Sequence, residues 1–208
     1  MKKSLLIFDF DGTIADTPAV ALTIYNELSG GFGLPQTDHD SLMDLKDKRI
    51  SELMRMTGMS WFKLPQFIRQ ARKAFTKHLH QVSPIEGMPE TLHSLRERGY
   101  RMGILTSNSR SNVEAFLNRN DLAVFEFVKA PSSLWGKARA IRRLLRAERL
   151  ERSEVVMIGD ELRDIEAANK ARVDAIGVTW GFNTGELLAQ GQPARIVHTP
   201  ADLLALLA

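Results

Sequence analysis

LLIFDFDGTIADT, residues Leu5 to Thr17, runs an apolar stretch into two aspartates one residue apart, Asp9 and Asp11, followed at once by Gly12 and Thr13. The stretch has the composition of a buried strand, and Asp-Gly marks its end at a turn. Side chains alternate along a strand, so Asp9 and Asp11 are expected to share a face. Two carboxylates held together in an apolar site repel, and they persist there only when a cation, a proton or strong donors compensate. A turn into solvent accounts for Asp11-Gly12 but leaves Asp9, inside the run, unexplained. The stretch therefore points to chemistry at the carboxyl end of a buried strand.

Outward from this strand, helix-like sequence from Pro18 through Leu28 leads to a loop at Gly30, Gly31, Gly33 and Pro35. Leu42, Leu45, Ile50, Leu53, Met54 and Met56 then recur at helical spacing, as do Trp61, Leu64, Phe67, Ile68, Ala71 and Phe75. These stripes are expected to be ordinary core packing, and residues 17–82 read as an all-helical unit. From Ser83 the pattern alternates. Strands are expected at Tyr100–Thr106, Val124–Val128, Val155–Ile158 and Ala175–Val178, with a weaker one at Arg195–Val197. Helices are expected at Pro89–Arg98, Lys137–Arg149, Ile165–Ala171 and Pro200–Leu207. Such alternation predicts an α/β fold, a parallel sheet covered on both faces. The lone first strand must join that sheet to satisfy its backbone, which makes the helical unit an insertion hinged near residues 16–18 and 81–84. The domain reading is a core of 1–16 and 83–208 with a helical cap of 17–82.

Composition agrees with a globular chain. A chain of 208 residues, 44% hydrophobic, buries a full core. With no cysteine, disulfides and thiolate catalysis are excluded. No apolar run reaches membrane-spanning length, and Asp9 and Asp11 interrupt any secretory signal, so a cytoplasmic location is expected. The net charge is only +3, so any preference for anions must come from local clustering.

In open parallel sheets the ligand crevice lies beyond the carboxyl ends of the strands, where strand order reverses. The expected strand ends carry Asp9 to Thr13, then Thr106-Ser107-Asn108-Ser109, then Gly159-Asp160-Glu161 with Asp164 beyond, and Lys137 opens a helix. Oxygen donors from Asp9, Asp160 and Asp164 suit Mg²⁺. A hydroxyl, backbone N–H groups and the Lys137 ammonium suit a phosphoryl group.

On these motifs, DFDGT at 9–13, ILTSN at 104–108, GK at 136–137 and GDELRD at 159–164, the chain resembles the haloacid dehalogenase superfamily in its phosphoglycolate-phosphatase-like branch. The likeness runs from Phe8 to about Trp180, and the insertion matches the position of that family's small cap. The resemblance implies a Rossmann-like three-layer core and a Mg²⁺-dependent phosphatase acting on monoesters of small metabolites, phosphoglycolate-like or sugar phosphates. It implies Asp9 as nucleophile, forming an aspartyl-phosphate, and Asp11 as general acid and then base. It implies a metal held by Asp9, by Asp160 and by the backbone carbonyl of Asp11, with Asp164 acting through a water or by anchoring Lys137. Phosphate contacts fall to Gly12, Thr13, Ser107, Asn108 and Lys137. The family pattern favours Ser107 over Thr106, and Lys129 stands as the alternative to Lys137. Asp11 argues against dehalogenation, whose branch lacks the second aspartate.

The core motifs handle only the phosphate, so the leaving group is expected to meet the insertion. Lys46, Lys48 and Arg49 are one basic group able to meet a carboxylate or second phosphate, or else surface charge beside Asp44 and Asp47. His39, His78 and His80 are expected at the surface. Two other readings are a phosphosugar mutase on the same core and a non-catalytic nucleic-acid binder using the basic helix 137–152. Glu148 and Glu151 within that helix and the modest charge disfavour nucleic acid. A monomer or homodimer is expected.

Overall fold

The computed structural model describes residues 4–38, 47–131 and 136–208. Six parallel strands form one sheet in the order β3-β2-β1-β4-β5-β6. They are β1 (Leu5–Phe8), β2 (Arg101–Leu105), β3 (Phe127–Lys129), β4 (Val155–Gly159), β5 (Asp174–Val178) and β6 (Arg195–Val197). The nine helices described are α1 (Pro18–Phe32), α2 (Ile50–Thr57), α3 (Leu64–His78), α4 (Met88–Glu97), α5 (Arg110–Arg119), α6 (Lys137–Glu148), α7 (Leu162–Ala171), α8 (Gly185–Ala189) and α9 (Pro200–Leu206).

The alternation of β1 sorts its side chains into two cores. Leu6 and Phe8 enter one cluster with Leu92, Leu95 and Phe116 from α4 and α5, whereas Leu5 and Ile7 enter another with Ile141 and Leu144 of α6 and Ile165 of α7. All four are fully buried. Each such burial stabilises the fold by roughly 1.5–3 kcal/mol, so the central strand is fixed in register from both faces. The result is the three-layer α/β architecture, helices on either side of a parallel sheet. Strand order reverses between β1 and β4, and the Asp9 N–H donates to the Ile158 carbonyl at 2.8 Å, carrying the ladder one residue past β1.

Several boundaries differ from the sequence expectation. The first strand ends at Phe8, because the Phe10 carbonyl accepts from Ile14 and Ala15, both at 3.0 Å, and curls the chain. Helix α1 continues through Gly30 and Gly31 to Phe32. Gly33, at φ 70°, closes it, and Phe32 and Leu34 are buried in a small cluster with Met54, Met59 and Leu64. That burial outweighs the glycines' poor helix propensity. β3 lies later than expected, at Phe127–Lys129, with Val124 buried in the loop before it. Helices α5 and α8 were not anticipated as elements, although Ser109 and Thr184 accept N-cap hydrogen bonds there. Met56 and Trp61, expected in the core, are about half exposed. Leu42 and Leu45 lie outside the described residues.

The segment from α1 to α3 leaves and re-enters the core through paired backbone. Asp16 N–H donates to the Ser83 carbonyl at 2.9 Å and Ile85 N–H to the Ile14 carbonyl at 2.9 Å. Val20, Ile24, Ala74 and Phe75 then pack on the main cluster. Among the described residues no helix is long and apolar enough to cross a membrane.

Candidate active site

The loops after β1, β2 and β4 and the first turns of α6 and α7 converge at the carboxyl edge of the sheet. Asp9, Asp160 and Asp164 are buried there, and one carboxylate oxygen from each lies within 4.8 Å of the other two. Lys137, at the start of α6 and equally buried, places its Nζ 2.8 Å from Asp9 Oδ2 and 2.5 Å from Asp164 Oδ1. Lys129, the alternative lysine, instead sets its ammonium 5.2 Å from the centroid of the Phe127 ring. Asp164 also accepts from the Glu161 N–H and so caps α7.

Asp160 is held from two directions. Its Oδ1 accepts from the Thr13 hydroxyl at 2.6 Å and its Oδ2 from the Phe182 N–H at 2.8 Å. Gly12, at φ 73°, lies so close that a Cβ there would stand 2.8 Å from Phe182 Cδ2 and nearer still to Asp160 Oδ2. Gly181 presses on the same aspartate, and a Cβ at that position would overlap its carboxylate. The 181–183 turn was not anticipated. Asn183 completes it, with its Oδ1 accepting from Leu162 N–H at 2.8 Å. Gly-Phe-Asn after a strand is a weak signal alone, and only the fold brings it to Asp160.

Asp11 is held by an amide and not by an ion pair with the lysine. Its two oxygens accept from Asn108 Nδ2 at 3.1 and 3.3 Å, and Asn108 is in turn fixed by donors from Ser109 and Asn112. Thr106 is fully buried and its hydroxyl accepts from the Asn108 N–H, whereas Ser107 lines a cleft beside Asp11. Gly12 and Thr13, expected at the phosphate, are engaged within the site, through the Gly12 N–H to the Ala15 carbonyl and the Thr13 hydroxyl to Asp160.

Electrostatics follow from burial. Desolvation pushes the Asp9 carboxyl up to about 6 against the pull of Lys137. Burial and the neighbouring Asp9 charge push Asp11 up to about 7. Burial, Asp9 and Asp164 push Asp160 up to about 8. Desolvation works against the Lys137 ammonium, yet Asp164 and Asp9 outweigh it and hold the group above the ordinary lysine value. Three buried acids against one ammonium make a cluster short of positive charge, which is the condition for binding a hard cation.

The cleft beside Asp11 has a volume of about 240 Å³ and is bounded by Thr17, Arg72, Ser107, Asn108 and Arg163, with Ile24, Phe67 and Phe75 as its apolar wall. Arg72 of α3 donates Nε to the Ser107 carbonyl at 2.6 Å, bridging the helical segment to the β2 loop. Neither arginine was anticipated. The basic group from the sequence lies elsewhere: Arg49 reaches Glu166 at 3.1 Å and Gln190 at 3.0 Å, Lys48 does not line the cleft, and Lys46 is outside the described residues. His78 pairs with Glu27 and His80 with the Lys77 carbonyl, while His39 is outside the described residues.

Comparison with known proteins gives the family and the fold. A family model described as haloacid dehalogenase-like hydrolase matches residues 6–178. The chain is 34% identical to a phosphoglycolate phosphatase of Synechococcus elongatus, covering 96% of this chain and 94% of that one. It is 26% identical to the pyrophosphatase PpaX of Bacillus velezensis, over 96% and 94% of the two chains. A haloacid dehalogenase-like family hydrolase from Streptococcus pneumoniae superimposes with a TM-score of 0.81 at 20% identity, over 99% of each chain.

Proposed function

This chain belongs to the haloacid dehalogenase-like hydrolase family and is a phosphatase, and we propose that it hydrolyses phosphate monoesters of small metabolites through an aspartyl-phosphate on Asp9. In this reading an Asp9 oxygen attacks phosphorus in line with the ester oxygen, the bond to the leaving group breaks, and Asp11 gives that oxygen its proton. Water then attacks the same phosphorus, its proton passes to Asp11, and the bond to Asp9 breaks to release phosphate. Ser107 and Lys137 hold the phosphoryl oxygens. Residues 17–82 act as a cap that supplies one wall of the cleft.

One observation carries this reading: two carboxylates two residues apart have different partners. Asp9 is ion-paired with Lys137 at 2.8 Å, while Asp11 rests on the neutral amide of Asn108 and is pushed up to about 7. A group in that range both gives and takes a proton near neutral pH.

Mg²⁺ is the proposed cofactor. Asp9, Asp160 and Asp164 fit it in donor type, spacing and deficit of positive charge. Asp9 and Asp160 would ligate it, with Asp11 through its backbone carbonyl, and Asp164 would act through a water or by holding Lys137. Bound there, the ion supplies neutralisation of the charge that Asp9 and the phosphate bring together. The deciding experiment measures phosphate release from a panel of phosphorylated metabolites, with Mg²⁺ and with excess chelator. Release that is equal in both conditions would remove the metal from the reading, and no release from any ester would remove the reading itself.

A further inference from the structure

Helix α6 brings Lys137 into the active site and turns a second, arginine-rich face to solvent. Ala138, Ile141, Leu144 and Leu145 are buried, whereas Arg139, Arg142, Arg143 and Arg146 are exposed. At about 3.6 residues per turn, spacings of three, four and seven set these four arginines on one side of the helix, opposite the buried one. Arg142 Nη1 donates to the Lys170 carbonyl at 3.1 Å, and this contact joins the face to the end of α7, where Lys170 and Arg172 are also exposed.

The acids nearby in sequence and fold are engaged elsewhere. Glu148 falls on the opposite side of α6 and reaches Arg101 at 2.7 Å. Glu151 lies past the end of the helix, in the turn before β4. Glu166 of α7 answers Arg49 at 3.1 Å and Lys170 at 4.0 Å. Among the described residues no carboxylate forms a salt bridge with Arg139, Arg142, Arg143 or Arg146. The chain's net charge of +3 thus conceals a concentrated local field.

Arginines three and four residues apart repel one another and weaken the helix that carries them. A row of phosphates relieves that repulsion. The four cover about 10 Å of helix axis, the axial length that holds about three phosphates on one strand of a duplex. No large apolar side chain accompanies them, since those exposed among the described residues are Met56, Trp61, Phe62 and Leu206, none on α6 or α7. Bilayers and protein partners engage apolar anchors as well as charge, and unpaired bases stack on aromatic rings. Charge without anchors fits the backbone of a duplex.

We propose that Arg139, Arg142, Arg143 and Arg146 form a docking face for the phosphate backbone of duplex nucleic acid, outside the phosphatase site and without sequence preference.

Fluorescence anisotropy tests it, with the full chain titrated into short labelled DNA and RNA duplexes, each in two unrelated sequences, and excess chelator present to remove competing divalent ions. The expected Kd is about 1–100 μM near physiological salt, alike for both sequences. The logarithm of the association constant is expected to fall against the logarithm of salt concentration with a slope of about −3 to −4, as four neutralised phosphates require. Combining Arg139→Gln, Arg143→Gln and Arg146→Gln should bring that slope to about −1 and weaken binding at low salt by tenfold or more, with the cooperative thermal melt retained. Combining Lys63→Gln, Arg69→Gln and Lys73→Gln removes the same charge from exposed positions at and along α3, and it is expected to keep the slope. No binding to either duplex at low salt, an unchanged slope in the α6 variant, or an equal loss in the α3 variant overturns the inference. Co-sedimentation with phosphatidylglycerol vesicles that depends on the α6 arginines, without binding to duplexes, overturns it in favour of a bilayer.

Discussion

Lys137 Nζ lies between two buried carboxylates, 2.8 Å from Asp9 Oδ2 and 2.5 Å from Asp164 Oδ1. The ammonium thus ties the first residue after β1 to the first turn of α7. Lys137→Met keeps the volume and removes the charge, leaving two acids facing each other in a dry site. Breaking a buried pair in this way costs about 3–5 kcal/mol, measurable as a lowered urea midpoint. Lowering the pH is expected to recover part of the loss by protonating Asp9. A midpoint equal to the wild type's would show that the ion pair contributes nothing net.

Asp9→Asn is expected to abolish phosphate release, by about 10⁴-fold or more, while leaving the thermal midpoint within a few degrees. The amide is nearly isosteric but does not attack phosphorus. Asp11→Asn should be felt most with poor leaving groups, which need the proton, and least with activated aryl phosphates. Near-normal turnover of an aryl phosphate by Asp9→Asn would rule out the covalent route.

Excess chelator is expected to remove activity, with Mg²⁺ restoring it and Ca²⁺ failing to do so. Ca²⁺ accepts more oxygens and tolerates both oxygens of one carboxylate, an arrangement that would occupy the Asp9 oxygen needed for attack. Equal rescue by the two ions would argue against that account.

The acids also set a pH dependence of stability. Asp9, Asp11 and Asp160 release their protons at about 6, 7 and 8 in the metal-free fold, against 3.8 for an ordinary aspartate. The folded state therefore binds more protons than the unfolded chain between these values. Stability from these groups is fully present below about pH 4 and is lost as the pH rises through 6 to 8. Metal binding requires the deprotonated acids, so the gain in Tm on adding Mg²⁺ should grow across the same window. Scans of the metal-free protein that show Tm rising from pH 5 to 8 would contradict these burial-driven shifts.

Much of the acid cluster was legible in the sequence because strand ends announce it. Asp9 and Asp160 follow apolar runs, their strands are neighbours in the sheet, and Lys137 opens a helix whose position is set by its apolar face. Strand alternation says only that one of Thr106 and Ser107 faces the cleft, and it was the family resemblance that favoured Ser107, the residue that lines it. The cleft wall was not legible. Arg72 reads as one of several basic residues on an amphipathic helix, and only the docking of α3 on the core brings it to Ser107. The basic group at 46–49 was more conspicuous in sequence, yet Arg49 is engaged with Glu166 and Gln190. Gly181 and Phe182 acquire their meaning only when the turn after β5 closes on Asp160.

The register of β1 has a kinetic consequence. Leu5 pairs with Arg101 on one side and with Val155 on the other, so the strand that ends at Asp9 precedes both of its neighbours by long stretches of chain. Contacts this distant in sequence require large loops to close before they reward the search, which slows folding relative to local helical pairing. During synthesis the central strand emerges before both of its neighbours and stays unpaired on one edge until β4 has left the ribosome. Helices α1 and α3 pack against each other without waiting for either neighbour. Asp9, the proposed nucleophile, is thus made well before the strands that enclose it, and the chain's exposure to aggregation falls in that interval.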